Sequence, residues 1–391
     1  MTSASTPENG THLVDATMFW SPTGGGVRRY LQAKHAWLVR YAGWRHTIAA
    51  PMADQPGMAA LPAMALPGSG GYRMPIRRRA LAHALQALQP NLIEVGDPYR
   101  LSWAALDAAH ALHIPAIAFC HSNLELLAAN LVGKRLAGAA ARAASGYLRR
   151  VYRNFDLVLA PSEAMRLRLL DSGIDRVVCQ PLGVDTQLFH PARSSLQWRN
   201  QLGLPPATRL LVYAGRFAPE KRLDVLVEAV RQLGAPYVLL AIGAGPAPPS
   251  GERVIVHPHE SDPMLLARAL ASADVFVHAG DQETFGLVAL EAMACGTPVV
   301  ARAAEGLAEL VDDSVGAAVH DDRPQSYALS ISDVFQHDRT GPSRRARERA
   351  EAYDWMQMLP LLLMRYRQLL QGSPKGRTVA NESVLSRARP A

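Results

Sequence analysis

Two glutamates, Glu283 and Glu291, flank seven intervening residues in the segment DQETFGLVALEAMACGTPVV, residues 281–300. The run before them, ADVFVHA at 273–279, is short, apolar and β-branched, as a parallel strand buried on both faces requires. A loop follows at Gly280. From Leu287 the apolar residues Leu287, Leu290, Met293 and Ala294 recur at helical spacing, so Glu283 falls in the loop and Glu291 about a turn and a half into a helix. The amides of Phe285, Gly286 and Leu287 then sit at a helix N-terminus. N–H groups there lack intrahelical partners and carry the positive end of the dipole, which suits an anion such as a diphosphate. A carboxylate on either side can accept sugar hydroxyls. The plainer alternative is that Glu283 only complements the dipole and Glu291 is an exposed helical residue.

A second pair of chemical groups lies in YAGRFAPEKRLDVLVEAV, where Arg216 and Lys221 stand five residues apart in a loop between an expected strand and helix. Open α/β sheets bind ligands outside the carboxyl ends of their strands, where such loops converge. There Arg216 can fork onto phosphate oxygens while Lys221 supplies a mobile point charge. Alternatively the two are surface cations paired with Glu220 or Asp224. In AIAFCHSNLE a buried strand ends near His121, which is either a ligand contact or a hydrogen-bonded loop residue. In SPTGGGVRRY the glycines Gly24, Gly25 and Gly26 lead from a strand into a helix, where backbone can approach a phosphate or sugar closely. That loop has neither the GxGxxG spacing of a dinucleotide site nor the Lys-Ser/Thr ending of a P-loop, and a tight structural turn explains it equally well.

Positioning these groups takes two wound halves. At 391 residues, 49% hydrophobic and 19% charged, the chain is long enough for two globular domains with alternating strand-like and helix-like stretches. Strands are expected at 91–95, 114–119, 157–160 and 177–180 in the first half, and at 210–214, 237–242, 254–256, 274–277 and 298–301 in the second. The expected organisation is a Rossmann-like N-terminal domain over 11–185 and a connector over 186–208. A second Rossmann-like domain follows over 209–342, then a helix near 343–370 in a segment over 343–372, and a disordered tail, 373–391. Three cysteines, Cys120, Cys179 and Cys295, without a CxxC spacing argue against a disulfide framework or zinc site and for a reducing cytoplasm. Neither a secretory signal nor a membrane span is read, since MQMLPLLLM is far short of the roughly 18 apolar residues a span requires.

The glutamate segment resembles the E-x7-E motif of retaining GT-B glycosyltransferases, and the Arg216 to Lys221 loop resembles the G-R-x-x-x-x-K loop of glycosyltransferase family four. From about residue 11 to 370 the chain is similar to that family, most closely in its second half. The resemblance implies an α/β GT-B fold, two doubly wound Rossmann-like domains facing a central cleft, the first (11–185) on the acceptor side, the second (209–342) binding the nucleotide sugar, and the segment 343–372 returning to the first. It implies that Arg216 and Lys221 stabilise a diphosphate leaving group, Glu291 binds ribose hydroxyls, Glu283 contacts the transferred sugar and His121 contacts donor sugar or acceptor. Ser122 and Asn123 depart from the H-x-x-P form of some relatives. The implied reaction is retaining transfer of a hexose from a nucleotide-diphosphate sugar, with GDP-mannose slightly preferred over a UDP-sugar, to a glycan, glycolipid or small-molecule acceptor. No cofactor and no metal are expected: Asp312-Asp313 and Asp321-Asp322 are adjacent pairs in loops and do not form a DxD motif.

The net charge of +7 and pI near 9.5 come from arginine, since Lys34, Lys134, Lys221 and Lys375 are the only lysines. No helix-turn-helix, zinc finger or aromatic RNA-binding signature accompanies that charge, so nucleic acid is not an expected partner. Residues 134–153 carry Lys134, Arg135, Arg142, Arg149, Arg150 and Arg153, and Arg77, Arg78 and Arg79 form a second cluster. These are either solvated helix faces or a peripheral attachment to an anionic membrane surface. Two rivals to transfer remain, a sugar-nucleotide epimerase of the same fold and a nucleotide-sugar-binding scaffold without turnover.

Overall fold

A computed structural model describes residues 10–20, 25–65, 73–75, 77–133 and 135–372. Its chain divides into two compact units, one formed by Met1–Pro161, Met165–Gln180 and Leu359 onward, the other by Ser162–Ala164 and Pro181–Met358. Lys134, Gly24 and the expected tail at 373–391 lie outside the described residues.

In the N-terminal unit the strands are β1 (His12–Ala16), β2 (Arg45–Ala50), β3 (Met58–Ala60), β4 (Ala63–Ala65), β5 (Arg73–Pro75), β6 (Leu92–Val95), β7 (Ala116–Phe119), β8 (Leu157–Ala160) and β9 (Val177–Cys179). Its helices are α1 (Gly26–Trp37), α2 (Arg78–Ala87), α3 (Arg100–Leu112), α4 (Leu124–Asn130), α5 (Ala137–Tyr152) and α6 (Glu163–Asp171). Seven strands form a parallel sheet in the order β3-β2-β1-β6-β7-β8-β9, while β4 and β5 make a separate antiparallel ribbon. Strands β6, β7 and β8 are buried along their whole length, as expected of parallel strands covered on both faces.

Charged residues enter this core as a closed network. Lys34 on α1 reaches Asp15 and Glu94 at 2.8 Å each, and His46 meets the other Asp15 oxygen at 2.7 Å. Tyr30 and Tyr366 donate to Glu94 at 3.0 and 2.5 Å. Burial opposes the charge on Asp15, but Lys34 and His46 hold its carboxyl down at about 2.

In the C-terminal unit the strands are β10 (Arg209–Ala214), β11 (Tyr237–Ile242), β12 (Val254–His257), β13 (Val275–His278), β14 (Val299–Arg302) and β15 (Gly316–Val319), paired in parallel in the order β12-β11-β10-β13-β14-β15. Its helices are α7 (Leu196–Gln201), α8 (Leu223–Leu233), α9 (Pro263–Ser272), α10 (Leu287–Ala294), α11 (Leu307–Leu310), α12 (Pro324–Gln336), α13 (Thr340–Glu351) and α14 (Trp355–Gln371), the last of which passes into the N-terminal unit at Leu359. The chain runs from β10 to β11 and β12 on one side and then crosses back to β13 on the other side of β10, so the loops after β10 and β13 flank a topological switch point, where such sheets form a ligand crevice.

Two expectations need correction. Residues 186–208 are not a free connector. They pack into the C-terminal unit, where Arg199 on α7 bonds Asp274 at 2.8 Å and the Ser195 amide donates to Ser272 at 2.9 Å. The single helix expected near 343–370 is two helices, α13 and α14, because the chain turns at Ala352–Asp354 to form a bridge between Asp354 and Val184. Asp354 then accepts from the Met356 amide at 2.7 Å, starting the second helix.

Candidate functional site

The loops after β10 and β13 meet in the C-terminal unit. Gly280 allows their close approach: a Cβ there would lie 2.8 Å from the Glu220 carbonyl oxygen, 2.9 Å from His278 Cε1 and 3.2 Å from Lys221 Cα. Across this contact Lys221 forms an ion pair with Glu283. The same Glu283 oxygen, Oε1, lies 3.1 Å from His278 Nε2. Burial opposes the charge on Glu283, but Lys221 and His278 outweigh it and hold the carboxyl well below its ordinary range.

Arg216 is ion-paired with Glu220 on the same loop and keeps about two-thirds of its side chain exposed. The Tyr213 hydroxyl, at the end of β10, donates to the Arg216 carbonyl at 2.9 Å and so ties the loop to the strand. Of the plainer pairings considered from sequence, Arg216 takes Glu220, but Lys221 takes neither Glu220 nor Asp224. It reaches instead to a residue of another loop.

The glutamate spacing is resolved by α10. Gly286 stands immediately before the helix with φ of +96°, and a Cβ there would lie 2.5 Å from Leu307 Cδ2, so the turn that starts the helix requires glycine. Phe285 and Leu287 are buried at this turn. Phe285 packs edge-on against Tyr353 at 5.9 Å. Glu291 is 2% exposed, which excludes the exposed-helix alternative. Its charge, after burial itself, helps push the neighbouring Cys295 thiol up to about 12. Arg347 on α13 fixes the far end of α10 by donating to the Ala294 carbonyl at 2.6 Å.

Gly25, Gly26 and His121 belong to the N-terminal unit. Gly26 begins α1, and a Cβ placed on Gly25 meets no described atom within 4 Å, so packing among the described residues does not demand glycine there. His121 follows β7, stacked on Phe119 at 4.3 Å and tilted against Tyr30 at 5.5 Å. Burial first, and then the charge of Lys34, bring its imidazole down to about 3, so it is neutral at physiological pH. Nearby, Asp97 Oδ2 accepts from the Met18 amide at 2.9 Å, joining the loops after β1 and β6.

Sequence reasoning missed His278, although a polar residue near the end of the apolar run ADVFVHA marked it. Among the described residues, no group of three or more His, Cys, Asp or Glu side chains is arranged to hold a metal ion. The aspartate pairs serve arginines: Asp312 bonds Arg349, Asp321 bonds Arg323 and Asp322 bonds Arg222.

Residues 24–188 match the family described as Glycosyltransferase Family 4, and residues 194–354 match Glycosyl transferases group 1. A GDP-mannose-dependent alpha-(1-6)-phosphatidylinositol dimannoside mannosyltransferase of Mycobacterium tuberculosis is 30% identical over 372 residues, covering 90% of this chain and 94% of its own. The chain belongs to glycosyltransferase family four. This glycosyltransferase is an enzyme of the hexosyltransferase class. It is also 37% identical over 199 residues to a D-inositol 3-phosphate glycosyltransferase of Mycolicibacterium gilvum, covering 47% of this chain and 45% of that one. Among solved structures, sucrose-phosphate synthase from Thermosynechococcus elongatus superposes with a TM-score of 0.76 at 23% identity, covering 93% of this chain and all of that one. HepE of Anabaena, in complex with UDP and glucose, gives 0.71 at 18% identity, with 91% and 99% coverage. These likenesses establish the GT-B fold. The group 1 match contains Arg216, Lys221, Glu283 and Glu291, and the family 4 match contains Gly25, Gly26 and His121.

Proposed function

We propose that this glycosyltransferase transfers mannose from GDP-mannose, with retention of anomeric configuration and without a metal ion, to an acceptor bearing an inositol phosphate. The observation that carries the donor side is the Lys221–Glu283 ion pair at the switch point, beside the start of α10. On this reading Lys221, Arg216 and the first amides of α10 together bind the diphosphate. As the glycosidic bond breaks, negative charge accumulates on the departing phosphate, and fixed cations aimed there lower the barrier more than they stabilise the ground state. Glu291 takes the ribose hydroxyls and Glu283 a hydroxyl of the transferred sugar. Neither glutamate is assigned as covalent nucleophile; the donor's own phosphate deprotonates the acceptor on the same face. Gly25 and Gly26 are assigned to close approach of donor or acceptor, and neutral His121 to a sugar contact.

The choice of GDP-mannose rests on the mycobacterial relative that spans nine-tenths of the chain. Both named relatives act on inositol-containing compounds by their descriptions, which supports the acceptor class. A UDP-sugar is the competing donor. The test is a thermal-shift screen of GDP- and UDP-sugars, then nucleotide release with EDTA present. Selective stabilisation by GDP-mannose, with GDP released in EDTA, supports the proposal, because a ligand that binds only the native state raises its apparent stability. Silence toward every nucleotide sugar would remove it. Retention is tested by NMR of the product's anomeric proton.

We further propose peripheral attachment to an anionic membrane surface. No acidic residue occurs from 126 to 155, and Arg135, Arg142, Arg149, Arg150 and Arg153 are exposed. Leu131 and Leu136, between α4 and α5, are 78% and 63% exposed, giving apolar side chains beside the cations. Among the described residues no helix is long and apolar enough to cross a membrane.

A further inference from the structure

We infer that His278 is the positioning residue for Glu283, holding that carboxylate in place when Lys221 transfers its charge to the donor's diphosphate. This inference rests on the function proposed above. Lys221 and His278 both engage Glu283 Oε1. A diphosphate draws Lys221 toward itself, and a carboxylate left with no other partner would turn away from the sugar. His278 supplies the partner that remains.

The imidazole is built for this. His278 is the last residue of β13 and is 5% exposed, so its backbone is fixed by the sheet. The Tyr213 ring lies 5.7 Å from it at 32°, and the Gly280 backbone closes against Cε1, so the ring is confined by β10 and by the loop after β13. An ionised carboxylate only accepts, so Nε2 carries the proton that Glu283 receives. Nδ1 is buried and meets no hydrogen-bond partner among the described residues. With Nε2 turned to Glu283, the ring orients that carboxylate from the fixed end of β13.

The experiment measures GDP release from GDP-mannose, and UDP release from UDP-glucose, for wild type, His278→Leu, His278→Asn and His278→Gln, with each change repeated in a Glu283→Ala background. Glutamine keeps an N–H near the place of Nε2, asparagine is too short and leucine has none. We expect kcat to fall about tenfold in the Leu and Asn variants, with donor KM little changed, and to recover in the Gln variant. In the Glu283→Ala background the His278 changes should cost nothing more, since residues acting as a unit are not additive. Equal loss in the Gln variant, an undiminished further loss in the Glu283→Ala background, or no loss at all overturns the assignment alone. A Leu variant that does not fold leaves the Asn and Gln pair to decide. Wild type that releases neither nucleotide, or Glu283→Ala with wild-type turnover, would instead remove the proposed function and this inference with it.

Discussion

Lys221 and Glu283, sixty-two residues apart in sequence, form an ion pair across the switch point of the C-terminal sheet. Neither residue is held there by its own loop alone. Gly280 lets the two loops touch, and β10 pairs directly with β13, so the sheet order places the cation beside the carboxylate. On the function proposed above, the donor's diphosphate takes over the charge that Lys221 gives to this pair.

Replacing Glu283 by glutamine separates its two roles. Loss of the carboxylate removes the proposed sugar contact and also frees Lys221 from an internal competitor for phosphate. We expect kcat for GDP release to fall by about 10- to 100-fold while the KM for GDP-mannose stays constant or decreases. Steady-state kinetics check this, and an unchanged kcat would discard the sugar contact.

His121 links stability to pH in a stated direction. Its imidazole titrates near 3 in the folded protein against an ordinary 6.5, so below pH 6.5 the unfolded chain takes up a proton that the folded one refuses. Stability attributable to this residue is therefore complete above pH 6.5 and declines as pH falls toward 3. Thermal midpoints of wild type and His121→Asn across that window should show a shallower decline in the variant. His12 and His46, also shifted down by burial, keep some decline in both. Parallel curves would contradict the assignment.

Lys34→Met tests the buried network of the N-terminal unit. The substitution preserves much of the side chain's bulk but leaves Asp15 and Glu94 without their shared cation. Breaking a buried pair in this way costs about 3–5 kcal/mol. Urea unfolding followed by tryptophan fluorescence should show the loss, and an unchanged midpoint would mean the carboxylates are neutralised by other means.

The proposed membrane surface predicts sedimentation with vesicles containing phosphatidylinositol and release by salt. Each arginine near such a surface contributes about 1 kcal/mol, so serine at Arg142, Arg149 and Arg150 together should largely abolish binding. Leu131→Ser should weaken binding even at low salt. Equal sedimentation of wild type and the triple variant would remove this surface.

Much of the fold was legible because parallel strands are buried on both faces. The expected strands at 157–160 and 237–242 match β8 and β11 end for end, since their residues are almost wholly apolar. Strands β2 and β15 escaped notice for the opposite reason: RHTIAA and GAAV have little apolar bulk, and their conformation comes from pairing with β1 and β14. The break between α13 and α14 depends on a bridge to Val184, a contact too distant in sequence to read. Within the site, Lys221 and Glu283 were each legible from their loops, but their pairing is a property of sheet order. His278 and the Lys34 network were hidden because burial, which sequence pattern reports only for apolar residues, gives those polar groups their partners.

The most direct test of the diphosphate site is calorimetric titration of GDP and of guanosine into wild type and Lys221→Ala. Lys221 facing the diphosphate predicts that GDP binds at least about tenfold more weakly to the variant, as loss of one charge-assisted contact implies, while guanosine binding is unchanged. Equal affinity of both proteins for GDP would contradict the account, because Lys221 would then serve only as the structural partner of Glu283.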